Sequence, residues 1–321
     1  MELQEIKACD LNPEEFIRRK VKEISDIVGN GIVINALSGG IDSSVVTKFG
    51  YDALGNRLKT FFIDTGLMRQ NEPENVASVF RGLGIDIQIV DAQQEFLEAL
   101  KGITQPEEKR EAITQTFYKN VFGKLVRDSG AKFLLQGTIL TDVEETVAGI
   151  KRQHNVFEQL GIDPQEVFGY KIIEPLVCLR KDGVRKVAFS LGLPRSIYNR
   201  MPFPGPGLAI RIIGEVTSEE LEIVRKATYI VEKELQFTYA FQYLAVLYKD
   251  KVIGMRDNKR VCGRQIEVRC WNSIDARTAE PTDLSRETRI KIVEEITNTI
   301  SDVVSVTFNE TPKPPCTIEA G

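Results

Sequence analysis

Apolar residues recur at Phe16, Ile17, Val21, Ile24 and Ile27 with helical spacing, behind the acids Glu14 and Glu15, and predict a leading amphipathic helix from Pro13 to Val28. The pattern then changes to short continuous apolar runs bounded by turn residues: Gly31 to Leu37, Leu58 to Ile63, Ile85 to Val90, Lys132 to Leu135 and Lys171 to Ile173. Between them lie stretches of helical period, Ser43 to Gly50, Glu74 to Leu83, Gln94 to Leu100 and Glu107 to Asp128. Continuous apolar strands alternating with helices imply a parallel sheet buried on both faces, hence an α/β, doubly wound fold. Ligands of such folds bind beyond the carboxyl ends of the strands.

The alternation stops near Leu193-Pro194, and Met201-Pro202-Phe203-Pro204-Gly205-Pro206-Gly207 forms a stiff, turn-rich segment. After it come a helix from Ser218 to Leu235, strand-like runs near Ala245 to Leu247 and Ile266 to Val268, a helix from Leu284 to Ile300, and a last run from Val303 to Phe308. This reads as a second, smaller α+β domain, and the boundary is placed between 1–198 and 199–321. A chain of 321 residues agrees with two domains.

Composition narrows the chemistry. With 42% hydrophobic and 27% charged residues the chain has an ordinary globular makeup. A net charge of -4 argues against a surface for bulk nucleic-acid binding. No stretch approaches the roughly 18 apolar residues of a membrane span, and no signal peptide is apparent, so no membrane role and a cytoplasmic location are expected. Cys9, Cys178, Cys262, Cys270 and Cys316 lack the spacing of a metal or redox site. The single histidine, His154, excludes schemes built on two imidazoles. Phosphates, metal ions, carboxylates and lysines must carry the reaction.

The sharpest local feature follows the first strand: Ser38-Gly39-Gly40-Ile41-Asp42-Ser43-Ser44, then a helix. Adjacent glycines admit an anion close to the backbone, the serines offer hydroxyl donors, and a helix start favours phosphate. Asp42 in such a loop suits a ligand to Mg²⁺. A Ser-Gly-Gly turn alone is also a common strand-to-helix connection. The absence of GxxxxGK[ST] means that this is no Walker loop.

The whole heptapeptide resembles the pyrophosphate loop of the N-type ATP pyrophosphatases, which cleave ATP between its α- and β-phosphates. Within that superfamily the other motifs resemble the synthetase part of GMP synthetases. Phe62-Ile63-Asp64-Thr65-Gly66-Leu67-Met68-Arg69 is similar to the family segment beside the adenosine, which implies Asp64 at ATP. Gln136-Gly137-Thr138, with Asp142, Glu144 and Glu145, resembles QGTxxPDxxES; it implies Gly137 and Thr138 at ATP and Glu145 as a second metal ligand beside Asp42. Thr141 stands where the family has proline. Ile173-Glu174-Pro175-Leu176, followed by Arg180-Lys181-Asp182-Gly183-Val184-Arg185, resembles EPLxxLFKDEVR and assigns Lys181 to the leaving pyrophosphate. Lys151, His154 and Asn155 match a family lid, a segment that read alone is also an ordinary exposed loop.

For the substrate nucleotide the resemblance implies Arg110 in Pro106-Glu107-Glu108-Lys109-Arg110, Pro204 and Gly205 in Arg200 to Arg211, and Lys313, Ile318 and Glu319 in Lys313-Pro314-Pro315-Cys316-Thr317-Ile318-Glu319. In the family, Lys313 would meet a phosphate and Glu319 the purine N–H groups. Ser305 and Arg256 depart from the family, which has arginine and glycine there, and Ser273 to Ala279 matches SxDxMTA imperfectly.

The resemblance implies XMP and ATP as substrates, Mg²⁺, an adenylyl-XMP intermediate with Asp42, Lys181, Ser38 and Ser43 as the catalytic set, and a homodimer through the smaller domain. The chain has neither the length nor the histidines for the glutaminase part that many GMP synthetases carry, so it is identified as a synthetase subunit of the two-subunit type. Ammonia is then expected from a separate glutaminase chain. Two other readings stay open at this point: another N-type pyrophosphatase, such as an NAD synthetase or a tRNA-thiolating enzyme, and a nucleotide-binding regulator on a synthetase scaffold.

Overall fold

The computed structural model describes residues 4–147, 170–274 and 276–321, and the chain divides into two compact units. The first comprises Met1–Asp64, Glu72–Ala92 and Phe117–Arg200; the second comprises Thr65–Asn71, Gln93–Thr116 and Met201–Gly321. The units are thus not two continuous halves of the chain. Two segments from its N-terminal half group with the second unit.

The first unit opens with α1 (Pro13–Val28), which starts where the side chain of Asn12 accepts the Glu15 N–H at 3.2 Å and Pro13 needs no N–H partner. Its apolar stripe buries Phe16, Ile24 and Val28. Then follow β1 (Val33–Ala36), α2 (Ile41–Leu54), β2 (Leu58–Asp64), α3 (Glu72–Gly82) and β3 (Gln88–Asp91). The chain next runs through α4 (Gln93–Leu100) and α5 (Pro106–Gln115) of the second unit. It re-enters the first unit within a π-helical stretch, Thr116–Phe122, that leads into α6 (Gly123–Ser129). The long helical run expected from Glu107 to Asp128 therefore contains a π segment that apolar spacing did not announce. The unit closes with β4 (Phe133–Leu135), α7 (Leu140–Val147), β5 (Lys171–Ile173), α8 (Lys181–Ser190) and the short α9 (Arg195–Tyr198).

The sheet order is β3-β2-β1-β4-β5 and every pairing is parallel. This is the doubly wound sheet that the apolar runs predict. Val33, Ile34 and Phe62 on its central strands are fully buried, and α1, α2 and α8 pack on one another. The strand order reverses between β1 and β4, so the loops after these strands flank the crevice where such folds bind ligands.

The second unit holds a mixed sheet with order β10-β8-β7-β6, and β9 pairs with β8. It runs from a 3-10 turn at Gly207–Arg211 through β6 (Ile212–Ile213), α10 (Ser218–Leu235), β7 (Gln242–Arg256), β8 (Lys259–Asn272), β9 (Glu280–Pro281), α11 (Arg286–Thr299) and β10 (Val303–Phe308). The runs expected near Ala245 and Ile266 are parts of one long antiparallel hairpin. Asp257 and Asn258 turn it with φ of 49° and 61°, the left-handed pair that a two-residue hairpin loop requires.

Candidate functional site

The loop after β1 turns on Gly39, whose φ is +75°. A Cβ there would stand 2.6 Å from Arg200 Nη1 and 2.9 Å from Val76 Cγ2, so both backbone angle and space require glycine. Helix α2 begins at Ile41, two residues before the expected Ser43, which places Ile41, Asp42, Ser43 and Ser44 in its first turn. Gly40 is the N-cap, and no side chain caps the helix. Its first-turn amides and dipole are thereby set for an anion. Ser38 Oγ lies 3.0 Å from Ser43 Oγ, while Ser43 and Ser44 donate to the Gly40 carbonyl at 3.1 and 2.7 Å. The two hydroxyls of Ser38 and Ser43 thus share one place at the mouth of the loop.

Gly137, after β4, touches the loop from the neighbouring strand. A Cβ at 137 would stand 2.9 Å from the Asp42 carbonyl carbon and 3.0 Å from the Ser43 nitrogen. The adjacent Thr138 donates its hydroxyl to Glu174 at 2.5 Å, which ties the ends of β4 and β5 together. Lys181, at the first position of α8, forms an ion pair with Asp42 at 2.5 Å across 139 residues of sequence. Arg180 beside it pairs with Glu144 at 2.6 Å and Glu5 at 2.9 Å, and these partners raise its pKa. Asp142 accepts the Ile139 N–H at 3.1 Å and starts α7. Asp64 ends β2, and its carbonyl accepts the Ala92 N–H.

The first unit therefore brings together Ser38, Gly39, Gly40, Asp42, Ser43, Gly137 and Lys181. The side chain of Glu145, and Lys151 and His154, lie outside the described residues. Among the described residues no group of three His, Cys, Asp or Glu gathers. A single carboxylate at Asp42 fits a magnesium ion that takes its other oxygens from phosphates and water, the usual arrangement for Mg²⁺ on a nucleotide.

The second unit gathers most of the residues expected at the substrate. Glu319 is held by the fully buried Arg211 through two contacts of 3.0 and 2.8 Å, and by the Gln242 amide at 2.6 Å. Phe203 lies beneath both Arg211 and Arg69, whose guanidinium carbons stand 5.0 and 4.2 Å from its ring centre. Arg269 donates to the carbonyls of Thr317 and Glu319, and the Trp271 indole to that of Ile318. Ile318 packs with Trp271 and Ala279. Lys313 makes two backbone hydrogen bonds with Ala279, and its ammonium donates to the Ala276 carbonyl at 2.7 Å. Arg110 reaches the Gly321 oxygen at 2.5 Å. Pro204 and Gly205 form a turn closed by the Gly207 N–H on the Pro204 carbonyl.

Sequence reasoning did not find Arg211, Gln242, Arg225 or Lys109. Arg225 donates to the Gly66 and Met68 carbonyls, so Gly66 to Met68 is fixed by α10 within the second unit. Lys109, almost fully buried, donates to the carbonyls of Ala209 at 3.2 Å and Ile212 at 2.7 Å. Burial lowers its pKa to about 8, against the raising influence of Glu220. Nothing in the spacing of a Lys-Arg pair on a helix marks the lysine as the buried member. Arg256, a departure from the family pattern, donates to the Thr297 carbonyl at 2.9 Å and also to Ser301 and Val303, closing the end of α11. Ser305 stands opposite Gln265 just past an irregularity in β10.

Comparison with known proteins finds relatives of two parts of the chain. A model described as asparagine synthase matches residues 31–138, and one described as GMP synthase C terminal domain matches residues 230–320. A protein of Archaeoglobus fulgidus, named as one of the subunits of a glutamine-hydrolyzing GMP synthase, is 46% identical over 309 residues, spanning 96% of this chain and 99% of its own. Its namesake in Pyrococcus abyssi is 45% identical over 312 residues, at 96% and 99%. A solved NMN synthetase from Francisella tularensis aligns with 66% of this chain and 85% of its own at a TM-score of 0.47 and 18% identity.

Proposed function

The chain belongs to the GMP synthase family that these two relatives represent, as the counterpart of the same separate subunit, and from that premise we infer that it catalyses the ATP-dependent amination of XMP to GMP, with ammonia supplied from a glutaminase chain. The observation that carries the reading is the loop Ser38–Ser44. Gly137 presses against it from the next strand, and Lys181 is paired to its aspartate. Both arrangements serve a phosphate-binding turn, and neither is needed by a plain strand-to-helix connection.

The XMP C2 oxygen attacks the α-phosphorus of ATP, the bond to pyrophosphate breaks, and an adenylyl-XMP results. Ammonia then adds at C2 and AMP leaves, giving GMP. Adenylylation converts a poor leaving oxygen into a good one. The loop amides and the hydroxyls of Ser38 and Ser43 hold the β- and γ-phosphates, and Lys181 turns from Asp42 to the departing pyrophosphate. Asp42 and Glu145 would hold Mg²⁺, which when bound offsets phosphate charge. Asp64, Gly137 and Thr138 border ATP. Arg110, Pro204, Gly205, Lys313, Ile318 and Glu319 receive XMP, with Glu319 accepting from the purine N–H groups.

Among the described residues no helix is long and apolar enough to cross a membrane, in keeping with work in the cytoplasm. The second unit is the dimerisation unit in this reading. Incubation with XMP, ATP, Mg²⁺ and ammonium should give equal amounts of GMP and AMP, whereas glutamine in place of ammonium should give none. GMP from glutamine alone, or AMP without GMP, would contradict it.

A further inference from the structure

We propose that Arg200 is a positioning residue for the ATP loop: paired with Glu72, it fixes the Gly39–Gly40 peptide so that its N–H, and not its carbonyl, serves the phosphate side. The proposal rests on Ser38–Ser44 being the pyrophosphate loop. In the sequence Arg200 opens the Pro-Gly segment and reads as part of a domain join. In the structure it is the last residue of the first unit, and its guanidinium is divided between two partners. Nη1 donates to the Gly39 carbonyl at 2.9 Å, and Nη2 pairs with Glu72 at 2.5 Å.

Glu72 is almost fully buried at the start of α3, so the arginine charge is balanced and its direction is set from behind. A trans peptide points its C=O and N–H to opposite sides. With the Gly39 oxygen held by Arg200, the Gly40 N–H faces Ser38 Oγ at 3.3 Å, and that hydroxyl in turn lies 3.0 Å from Ser43 Oγ. A flipped peptide would present a carbonyl oxygen to the phosphates and remove the donor that orients Ser38. Glycine at φ +75° imposes little barrier of its own against such a flip. The loop therefore needs an external hold, and Arg200 lies close enough to Gly39 to leave no room for a side chain there. An arginine engaged on both sides in this way acts through the loop and not on the phosphate.

The test uses the full chain with ammonium as nitrogen source. Arg200→Gln should raise the KM for ATP and the inhibition constant of pyrophosphate together, by about tenfold, and leave the KM for XMP within about twofold. Arg200→Lys should recover part of the loss, since one ammonium can donate to Gly39 without the second contact to Glu72. Glu72→Gln should give a smaller shift of the same kind, and it carries the test if Arg200→Gln does not fold. A parallel rise of both substrate KM values, or no change in either, would overturn the proposal, since a mere linker predicts one of those. The loop reading has a separate check. If Asp42→Ala keeps full turnover, both readings fall; if it is inactive while Arg200→Gln and Glu72→Gln behave as wild type, only the positioning role falls.

Discussion

In the first unit the residues that would meet ATP lie side by side in Ser38–Ser44, and their geometry is mostly a property of backbone: a left-handed glycine, an uncapped helix start and a second glycine pressed against it. In the second unit the corresponding residue, Glu319, is placed by Arg211 across 108 residues and by Gln242 across 77. One site is built by conformation and the other by buried charge. The two should therefore fail differently, the first losing chemistry with the fold intact and the second losing fold and affinity together.

Four experiments press on that contrast. Asp42→Ala should reduce GMP formation by roughly 10²–10³-fold or more with a nearly unchanged denaturation midpoint, since its ion pair is with a half-exposed lysine. Rate assays with parallel urea unfolding decide it. Glu319→Ala strands a fully buried guanidinium, and removal of one partner from such a pair costs about 3–5 kcal/mol. Chemical denaturation should show that loss together with a raised KM for XMP. If stability is unchanged, the second site is not built on buried charge.

Lys109 gives a third, pH-dependent handle. Its folded pKa of about 8 lies below the ordinary lysine value of 10.5, so between these values the unfolded chain binds the additional proton. Its contribution to stability is constant below about pH 8, where both states are charged, and rises as the pH climbs toward 10.5. The wild type should gain up to about 3 kcal/mol from this group over that window, and Lys109→Met should lack the rise; identical pH slopes would remove the buried charge from the picture. The smallest effect is expected of Arg256→Gly. It removes donors from the end of α11 and should cost about 1 kcal/mol without altering either KM.

The same contrast explains what could be read from the sequence. The parallel sheet was legible because its inner strands β1, β2 and β4 are largely buried and carry apolar runs. Helices α1 and α10 were legible because Asn12 and Thr217 cap them at their predicted starts. Ser38–Ser44 was legible because its whole signal lies in seven consecutive residues. The π stretch at Thr116–Phe122 changes helix pitch without changing composition. The hairpin was underestimated because charged residues in the middle of β7, Lys249, Asp250 and Lys251, break the apolar run. Arg200, Arg211 and Lys109 were not legible, since each acts on a carbonyl or carboxylate brought from at least 100 residues away. Arg256, which departs from the family pattern, has a structural task of its own.

The chain passes from one unit to the other five times, after residues 64, 71, 92, 116 and 200. A gene cut once near codon 200 would separate Leu67 from Leu208, whose N–H it accepts, and Lys109 from both of its carbonyls. Each piece would carry only part of the second unit and lack the partners of these hydrogen bonds. Expression of either piece alone should therefore leave the second unit incompletely folded, whatever the first unit does.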